Sequence, residues 1–565
     1  MRRNETCAAA DARRERRSGS SKRGFLLVCL AVAGAVHLST PGTPAQGASC
    51  LVTTVSGAVQ GLDNGSSCTF LGIPFAAPPV GGLRWKPPQP AAAWAPATLP
   101  AIAQHPACAN VNPAGSTTTM GSENCLRLNV WTPDPAPASP VSVIVWIPTG
   151  AFQGASASLP DSNGRKLVEE TGAIVVAANY RLGPFGFMGH SALTGEDPAY
   201  PSSGNYGFLD QRAALRWVRD HIAAFGGDPY NVTIAGQSAG ANSVSLHLVS
   251  PGSTGLFARA IMQSGYASSR WPTLADAESL GDDFAATVGC TDPTQVLACM
   301  RSKPMAQVLL AFPNGQQEFA QSPRVAWSPV VDGLDIPDQP RVLYEGGAFN
   351  RVPIIIGATR DEGWIYADRS FPTGLTPPQY EAAVEAEFGA ASDAVLEKYP
   401  VAEFQSPKLA LSRLISDVEM VCEARRVARL VERTAPVYFY SFEREADAVV
   451  PDLVIHGLDR NFVFGNNFGP PSNYILNADD LALFHAIGGY WTRFAASGNP
   501  NSDSEDVLHW PAFKHPTGQG RGADKYLILD WPLGEAKRLR EEHCDFWEPF
   551  FFRSIADGPV PAAEF

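Results

Sequence analysis

Seven short apolar runs punctuate the chain, at positions 141–147, 173–178, 232–235, 260–263, 352–357, 437–442 and 526–529. Near-continuous runs of this length suit parallel strands buried on both faces, not strands with one wetted side. Between them the apolar positions fall at helical spacing. Leu215, Val218, Ile222 and Phe225 are three, four and three residues apart, and Gly226-Gly227-Asp228 ends that helix. Strand alternating with helix predicts an α/β fold: a central, mostly parallel sheet with helices on both faces. Residues 48–100 are rich in Pro and Gly and read as a hairpin-rich edge, including a strand at 70–74, with Cys50 and Cys68 closing the first hairpin. The segments 270–345 and 365–435 are helical by pattern and read as insertions over the sheet. With no repeat and no long low-complexity linker after residue 50, a single domain over residues 48–565 is expected.

The first 47 residues differ in character. Arg13, Arg14, Arg16, Arg17, Lys22 and Arg23 precede an apolar run at 25–38, and Ala45-Gln46-Gly47 has the small residues of a cleavage site. This reads as an export segment over 1–47, and its apolar run is too short to span a bilayer. The long arginine-rich lead is atypical and keeps an uncleaved anchor as the alternative. A hydrophobic content of 45% supplies ample core, and a net charge of −13 without a lysine-rich block argues against nucleic acid or anionic membrane as partner. Cys7 and Cys29 leave with the leader. Eight cysteines remain, an even number that favours disulfides in an exported chain while allowing 105 pairings. None has zinc-finger spacing, and no metal or organic cofactor is expected.

Chemistry enters at Asn231-Val-Thr-Ile-Ala-Gly-Gln-Ser-Ala-Gly240. A β-rich run meets Gly236-Gln237-Ser238-Ala239-Gly240, and Val244, Leu246 and Leu248 follow as a helix. A serine at the apex of strand, tight turn and helix has the pattern of a nucleophile elbow. Such a backbone is strained, so side chains two residues either way would collide, which explains the glycines. The N–H of Ala239 would then point at a developing oxyanion.

A serine nucleophile needs a base and a group to orient it, in the chain order Ser, acid, His. Downstream histidines are His247, His456, His485, His509, His515 and His543. His247 and His485 sit on helices, where packing or solvation is the plainer role; the last three lie in polar surroundings near the C-terminus. His456, in Leu453-Val-Ile-His-Gly457, follows an apolar run and precedes glycine, as a loop at the sheet edge would. For the acid, Asp361 and Glu362 both follow a buried run and either could serve.

The ordered motifs narrow these choices. Phe70-Leu-Gly-Ile-Pro-Phe-Ala-Ala-Pro-Pro79, Glu123-Asn-Cys-Leu-Arg-Leu-Asn-Val-Trp131, Asn179-Tyr-Arg-Leu-Gly-Pro-Phe-Gly-Phe187, Gly204-Asn-Tyr-Gly-Phe-Leu-Asp-Gln211, Phe225-Gly-Gly-Asp228, the elbow, Gln263-Ser-Gly265, Asp361-Glu-Gly363 and His456-Gly457 resemble the type-B carboxylesterases, a family of α/β-hydrolases that includes the cholinesterases. The resemblance covers most of residues 50–550. It implies a secreted or periplasmic carboxylic ester hydrolase with Ser238 as nucleophile, Glu362 rather than Asp361 as acid and His456 as base. It also implies disulfides Cys108–Cys125, Cys290–Cys299 and Cys422–Cys544, and a supporting hydrogen bond from Ser264 to the triad. Asp459 is expected to serve loop structure only.

The chain departs from the family after 141–147. Where members carry an aromatic or His and three small residues, usually glycines, it reads Pro148-Thr149-Gly150-Ala151-Phe152. The N–H groups of Gly150, Ala151 and Ala239 still fall at the family's oxyanion-hole positions. Pro148 and Thr149 imply a stiffer loop and a narrower leaving-group side, disfavouring esters of tertiary alcohols. Trp271, Phe152 and Gln237 are expected to border the substrate pocket. Gln237 stands where cholinesterase-like members have Glu, and no Trp lies between Cys108 and Cys125, so a choline ester is disfavoured. The competing expectations are a hydrolase of thioesters, carbamates or a bulky polyester, and a non-catalytic binding protein on the same fold.

Overall fold

The apolar runs pair into the middle of one eleven-stranded sheet. The structure, a computed structural model, describes residues 50–111, 118–134, 136–266, 270–312, 327–446, 449–467, 473–502, 507–514 and 524–556. The expected leader over 1–47 and His515 lie outside the described residues. In chain order the strands are β1 (Leu62–Asp63), β2 (Ser67–Pro74), β3 (Arg127–Pro133), β4 (Val141–Ile147), β5 (Ile174–Ala178), β6 (Gly227–Gln237), β7 (Arg259–Gln263), β8 (Ile354–Thr359), β9 (Val437–Phe442), β10 (Lys525–Leu529) and β11 (Gly534–Lys537). Across the sheet they run β11-β10-β9-β8-β7-β6-β4-β5-β3-β2-β1. Pairing is parallel from β5 through β10 and antiparallel at both edges.

Successive side chains of a strand point to opposite faces, so a continuous apolar run feeds two cores at once. Val143, Val145 and Ile147 enter one core while Ile144 and Trp146 enter the other; Ile354 and Ile356 likewise part from Ile355. Helices α1 (Tyr206–His221), α2 (Ala239–Val249) and α3 (Cys422–Val431) cover the first face. The second is covered by α4 (Asp459–Phe464) and α5 (Ala478–Ser497), which contributes Leu483, Phe484, Ile487, Trp491 and Phe494. The expected stop after α1 is visible: Ile222–Phe225 tightens to a 3-10 turn and Gly226 takes φ 87°, a left-handed value that glycine adopts without a Cβ clash. The insertion at 365–435 is helical, with Tyr380, Val384, Leu411, Leu414 and Trp547 forming a third core.

The bonded cysteine pairs are Cys50–Cys68, Cys108–Cys125, Cys290–Cys299 and Cys422–Cys544. The first does not close a single hairpin as expected. Cys50 precedes a separate small sheet (Leu51–Thr54, Gly57–Gln60 and Thr98–Pro100), while Cys68 lies in β2, so the bond fastens that sheet to the edge of the large one. Local hairpin pairing satisfied the backbone of both segments without the disulfide. Cys422–Cys544 spans 122 residues. Replacing both with Ser is expected to cost about 4–5 kcal/mol by the chain-entropy estimate, read as a lowered urea midpoint under non-reducing conditions.

Candidate active site

Ser238 stands between β6 and α2 with φ 54° and ψ −124°, a conformation disfavoured for a residue bearing a Cβ. It is held there from both sides. Its N–H donates to the Gln263 carbonyl at 2.8 Å, and its carbonyl accepts from the Asn242 N–H at 2.8 Å. The glycines follow from sterics: a Cβ on Gly236 would lie 2.4 Å from the Gly240 carbonyl carbon, and one on Gly240 would lie 2.1 Å from the Ile147 oxygen. Gly265 is required for the same turn, since its Cβ would sit 2.3 Å from the Ser238 oxygen.

The loops after β8 and β9 meet beside this turn, at the carboxyl ends of the parallel strands where open α/β sheets bind ligands. Glu362 is fully buried; its Oε1 accepts from the Thr359 N–H at 2.6 Å, and its Oε2 accepts from His456 Nδ1. The neighbouring acid does different work. Asp361 Oδ2 accepts from Arg360 Nε at 2.9 Å and the Val454 N–H at 3.0 Å, and the backbones of Asp361 and Ile455 form a parallel bridge. One residue therefore ties the two loops together while the next turns inward to the imidazole. Gly363 permits this packing, because a Cβ there would lie 2.1 Å from the Ser412 oxygen.

The other described histidines are elsewhere. His247 is buried in the core, stacked on Phe208 and bonded to Ser253 Oγ at 2.8 Å and Gln211 Oε1 at 3.2 Å. Burial holds its imidazole well below the usual range. His485 pairs with Glu170 on the outer face of α5, and His543 lies against Tyr399.

The loop after β4 is anchored at several points. Tyr180 donates its hydroxyl to the Pro148 carbonyl at 3.1 Å, and the Gly183 N–H donates to the Phe152 carbonyl at 2.8 Å. Gly150 (φ 111°), Ala151 (φ 52°) and Phe152 (φ 59°) take left-handed backbone in succession, and no described group accepts from the N–H of Gly150, Ala151 or Ala239. Successive N–H groups left free in such a turn form an anion-binding concavity. Phe152 packs edge-on against Trp271 and Phe187, with ring centroids 5.9 and 5.4 Å apart. Trp271 is 7% exposed and meets the loop through Phe152.

Gln237 is also buried. Its Oε1 accepts from Thr149 Oγ1 at 2.9 Å, and its Nε2 faces His456 Nε2 at 3.2 Å. No hydrogen bond joins Ser238 Oγ to His456, whose free nitrogen is engaged by the residue next door.

Two expectations need correction. Ser264 does not reach Glu362 or His456 by a hydrogen bond: its Oγ is buried and unpartnered among the described residues. Its backbone contributes instead, holding φ 52° and donating its N–H to the Gly357 carbonyl at 2.9 Å. Asp459 is not loop structure. It opens α4, wholly buried behind the Glu362–His456 pair, and accepts from Gln263 Nε2 at 2.7 Å and the Tyr440 hydroxyl at 3.1 Å. An acidic residue three past His456 was its sequence signal.

Burial, and then the nearby Glu362 charge, push Asp459 up to about 6. A carboxyl raised in the folded state contributes stability below its unfolded value near 4 and loses it as pH rises through 6. Asp459→Asn is therefore expected to remove a fall in stability on the order of 3 kcal/mol between pH 4 and 7, measured as urea midpoints across that window.

A seven-stranded parallel core sheathed on both faces, a sharp strand-to-helix turn and site loops at the strand carboxyl ends define an α/β-hydrolase. A sequence model of the Carboxylesterase family matches residues 48–547, and the chain belongs to that family. Acetylcholinesterase of Bungarus fasciatus is 32% identical over 569 residues, covering 93% of this chain and 89% of that protein. Cholinesterase of Mus musculus is 34% identical over 543 residues, covering 89% and 87%. Carboxylic ester hydrolysis is the activity class this membership supports.

Proposed function

We propose that the chain hydrolyses small carboxylic esters through a covalent acyl-enzyme on Ser238. In this reading His456 Nε2 takes the serine proton as Oγ attacks the ester carbonyl and later returns it to the departing alcohol. Glu362 orients the ring through Nδ1 and stabilises the imidazolium, while the N–H groups of Gly150, Ala151 and Ala239 hold the oxyanion. The observation that carries the reading is the Glu362–His456 pair, brought from two loops to the flank of the strained turn at Ser238. Trp271 and Phe152 wall the acyl side. A fluorophosphonate probe tests it directly: covalent labelling at Ser238 is expected, and unlabelled protein that still hydrolyses p-nitrophenyl butyrate would refute it.

The alcohol side should be narrow. Thr149 is tied to Gln237 and Pro148 to Tyr180, so the loop that must yield to a branched alcohol is braced at both residues. Turnover of tert-butyl acetate is expected to be at least ~10-fold below that of ethyl acetate, the scale at which a crowded methyl group is discriminated; similar rates would sink the idea. Gln237 offers no negative charge to a quaternary ammonium, so choline esters are not the favoured class. Four disulfides suit an oxidising compartment outside the cytosol, and no described helix is long and apolar enough to cross a membrane.

A further inference from the structure

We propose that Tyr366 and Glu419 form a polar subsite beside the triad that recognises a hydroxyl on the ester, carried by its acyl chain or by its alcohol, and so set specificity. This rests on the Ser238–Glu362–His456 reading of the site.

Two segments flank the acid Glu362 and are clamped to each other. One is the short helix Trp364–Ser370, which starts directly after Glu362-Gly363. The other is a π-helical turn, Ser416–Val421, set between the helix Pro407–Ile415 and α3. Ser416 Oγ accepts from the Gly363 N–H at 2.8 Å and donates to the Ser412 carbonyl at 2.7 Å. Asp417 accepts from the Tyr399 hydroxyl at 3.1 Å and from Arg540. Ser416 and Asp417 are thereby buried on one side of the turn, while Val418, Glu419 and Met420 keep accessible surface. A π turn interrupts the regular helix, and such interruptions are frequent at functional sites.

Tyr366 comes from the first segment. Its ring lies 5.9 Å from the His456 imidazole, tilted by 53°. Its phenol feels the charges of Glu362 and Glu419, so it stands within electrostatic reach of both the triad acid and the π turn. Burial pushes the Tyr366 hydroxyl up, and it pushes Glu419 up to about 8. Yet both residues keep accessible surface, and neither polar end has a hydrogen-bond partner among the described residues. Groups that are deep, accessible and unpartnered line a cleft, where a few placed polar atoms orient a ligand.

The donor set selects the ligand. Among the described residues the charged groups acting on Glu419 are Glu387 and Glu423, and no arginine or lysine offsets them. With its proton kept at neutral pH, the carboxyl offers an O–H and spare lone pairs, as the phenol does. A hydroxyl, donor and acceptor at once, can bond both. An alkyl chain would displace the water that serves these groups and leave them unpaired, which costs affinity. An ammonium brings donors only and would need Glu419 to give up its proton.

The test measures kcat/KM at neutral pH for ethyl butyrate, ethyl 3-hydroxybutyrate, 2-hydroxyethyl butyrate and ethyl 4-aminobutyrate. Wild type, Tyr366→Phe, Glu419→Gln and Glu419→Leu are compared in the full chain. The readout is the ratio of each substituted ester to ethyl butyrate within one protein. Wild type is expected to favour a hydroxylated ester by about tenfold, the scale of one or two net hydrogen bonds. Which of the two it favours assigns the subsite to the acyl or the alcohol side. The ratio should fall by roughly threefold or more in Tyr366→Phe and in Glu419→Leu, and by less in Glu419→Gln, which keeps a donor and an acceptor. Tyr366→Phe retains the ring against His456 and decides the matter if Glu419→Leu does not fold. Wild-type ratios near one, ratios that the substitutions leave in place, or a stronger preference for the amino ester would overturn this inference while ester hydrolysis stands. Wild type that neither hydrolyses ester nor takes a fluorophosphonate on Ser238 would overturn the acyl-enzyme reading and this inference with it.

Discussion

Replacing Ser238 with Ala is expected to lower kcat for p-nitrophenyl butyrate by at least ~10⁴-fold, the scale of loss when a triad nucleophile is removed. A residue above the uncatalysed rate should survive, because the amides of Gly150, Ala151 and Ala239 and the pocket remain. The fold should not suffer. Ser238 Oγ joins no structural hydrogen bond, and the backbone bonds to Gln263 and Asn242 do not depend on the side chain. A further variant sharpens the point: Ser238→Gly removes the Cβ from a φ of 54° and is expected to stabilise the protein by about 1 kcal/mol while abolishing activity. Urea denaturation beside the ester assay checks both. A stable, fully active Ser238→Ala protein would end the acyl-enzyme reading.

A large effect on stability is expected at Arg181 and Asp210. Both are almost wholly buried, and the guanidinium meets the carboxylate through Nε at 2.7 Å and a second nitrogen at 2.8 Å. The Arg181 N–H adds a third bond at 3.0 Å. Burial pushes the Asp210 carboxyl up, and the arginine's charge and hydrogen bonds hold back part of that rise. Removing either partner leaves the other charged and unpaired in the core, so Arg181→Met or Asp210→Ala should each cost about 3–5 kcal/mol. The double variant should cost clearly less than the sum, because no lone charge is left behind. The pair also reaches the site: it pins the turn bearing Tyr180, whose hydroxyl braces Pro148 in the loop after β4. Activity is therefore expected to fall in the single variants below the urea concentrations that unfold them. Additive losses in the urea midpoint would contradict the paired-charge account.

Much of the architecture was legible from local pattern. The apolar runs at 141–147 and 437–442 coincide with β4 and β9 to the residue, and the other five differ by a residue or more at an end. A strand buried on both faces has little choice of composition, and the helix ending at Gly226 was marked by glycine's unique tolerance of positive φ. The elbow was legible too, since only glycine clears the Ile147 oxygen at position 240. These are constraints a short segment carries by itself.

Partner choice belonged to the tertiary structure. Residues 361 and 362 are both acidic, and chain order could not say which one would reach an imidazole ninety-odd residues later; the bridge between Asp361 and Ile455 turned Glu362 inward and Asp361 toward Val454. Cys50 found Cys68 across two sheets, not within a hairpin, and Asp459 came to rest near Glu362 at the head of a helix instead of in a loop. The Thr149–Gln237–His456 contacts join residues 88 and 219 positions apart. Backbone sterics act between neighbours, so a sequence displays them openly. Hydrogen-bond partners are selected by which loops the finished sheet sets side by side, and that exists only once the chain has folded.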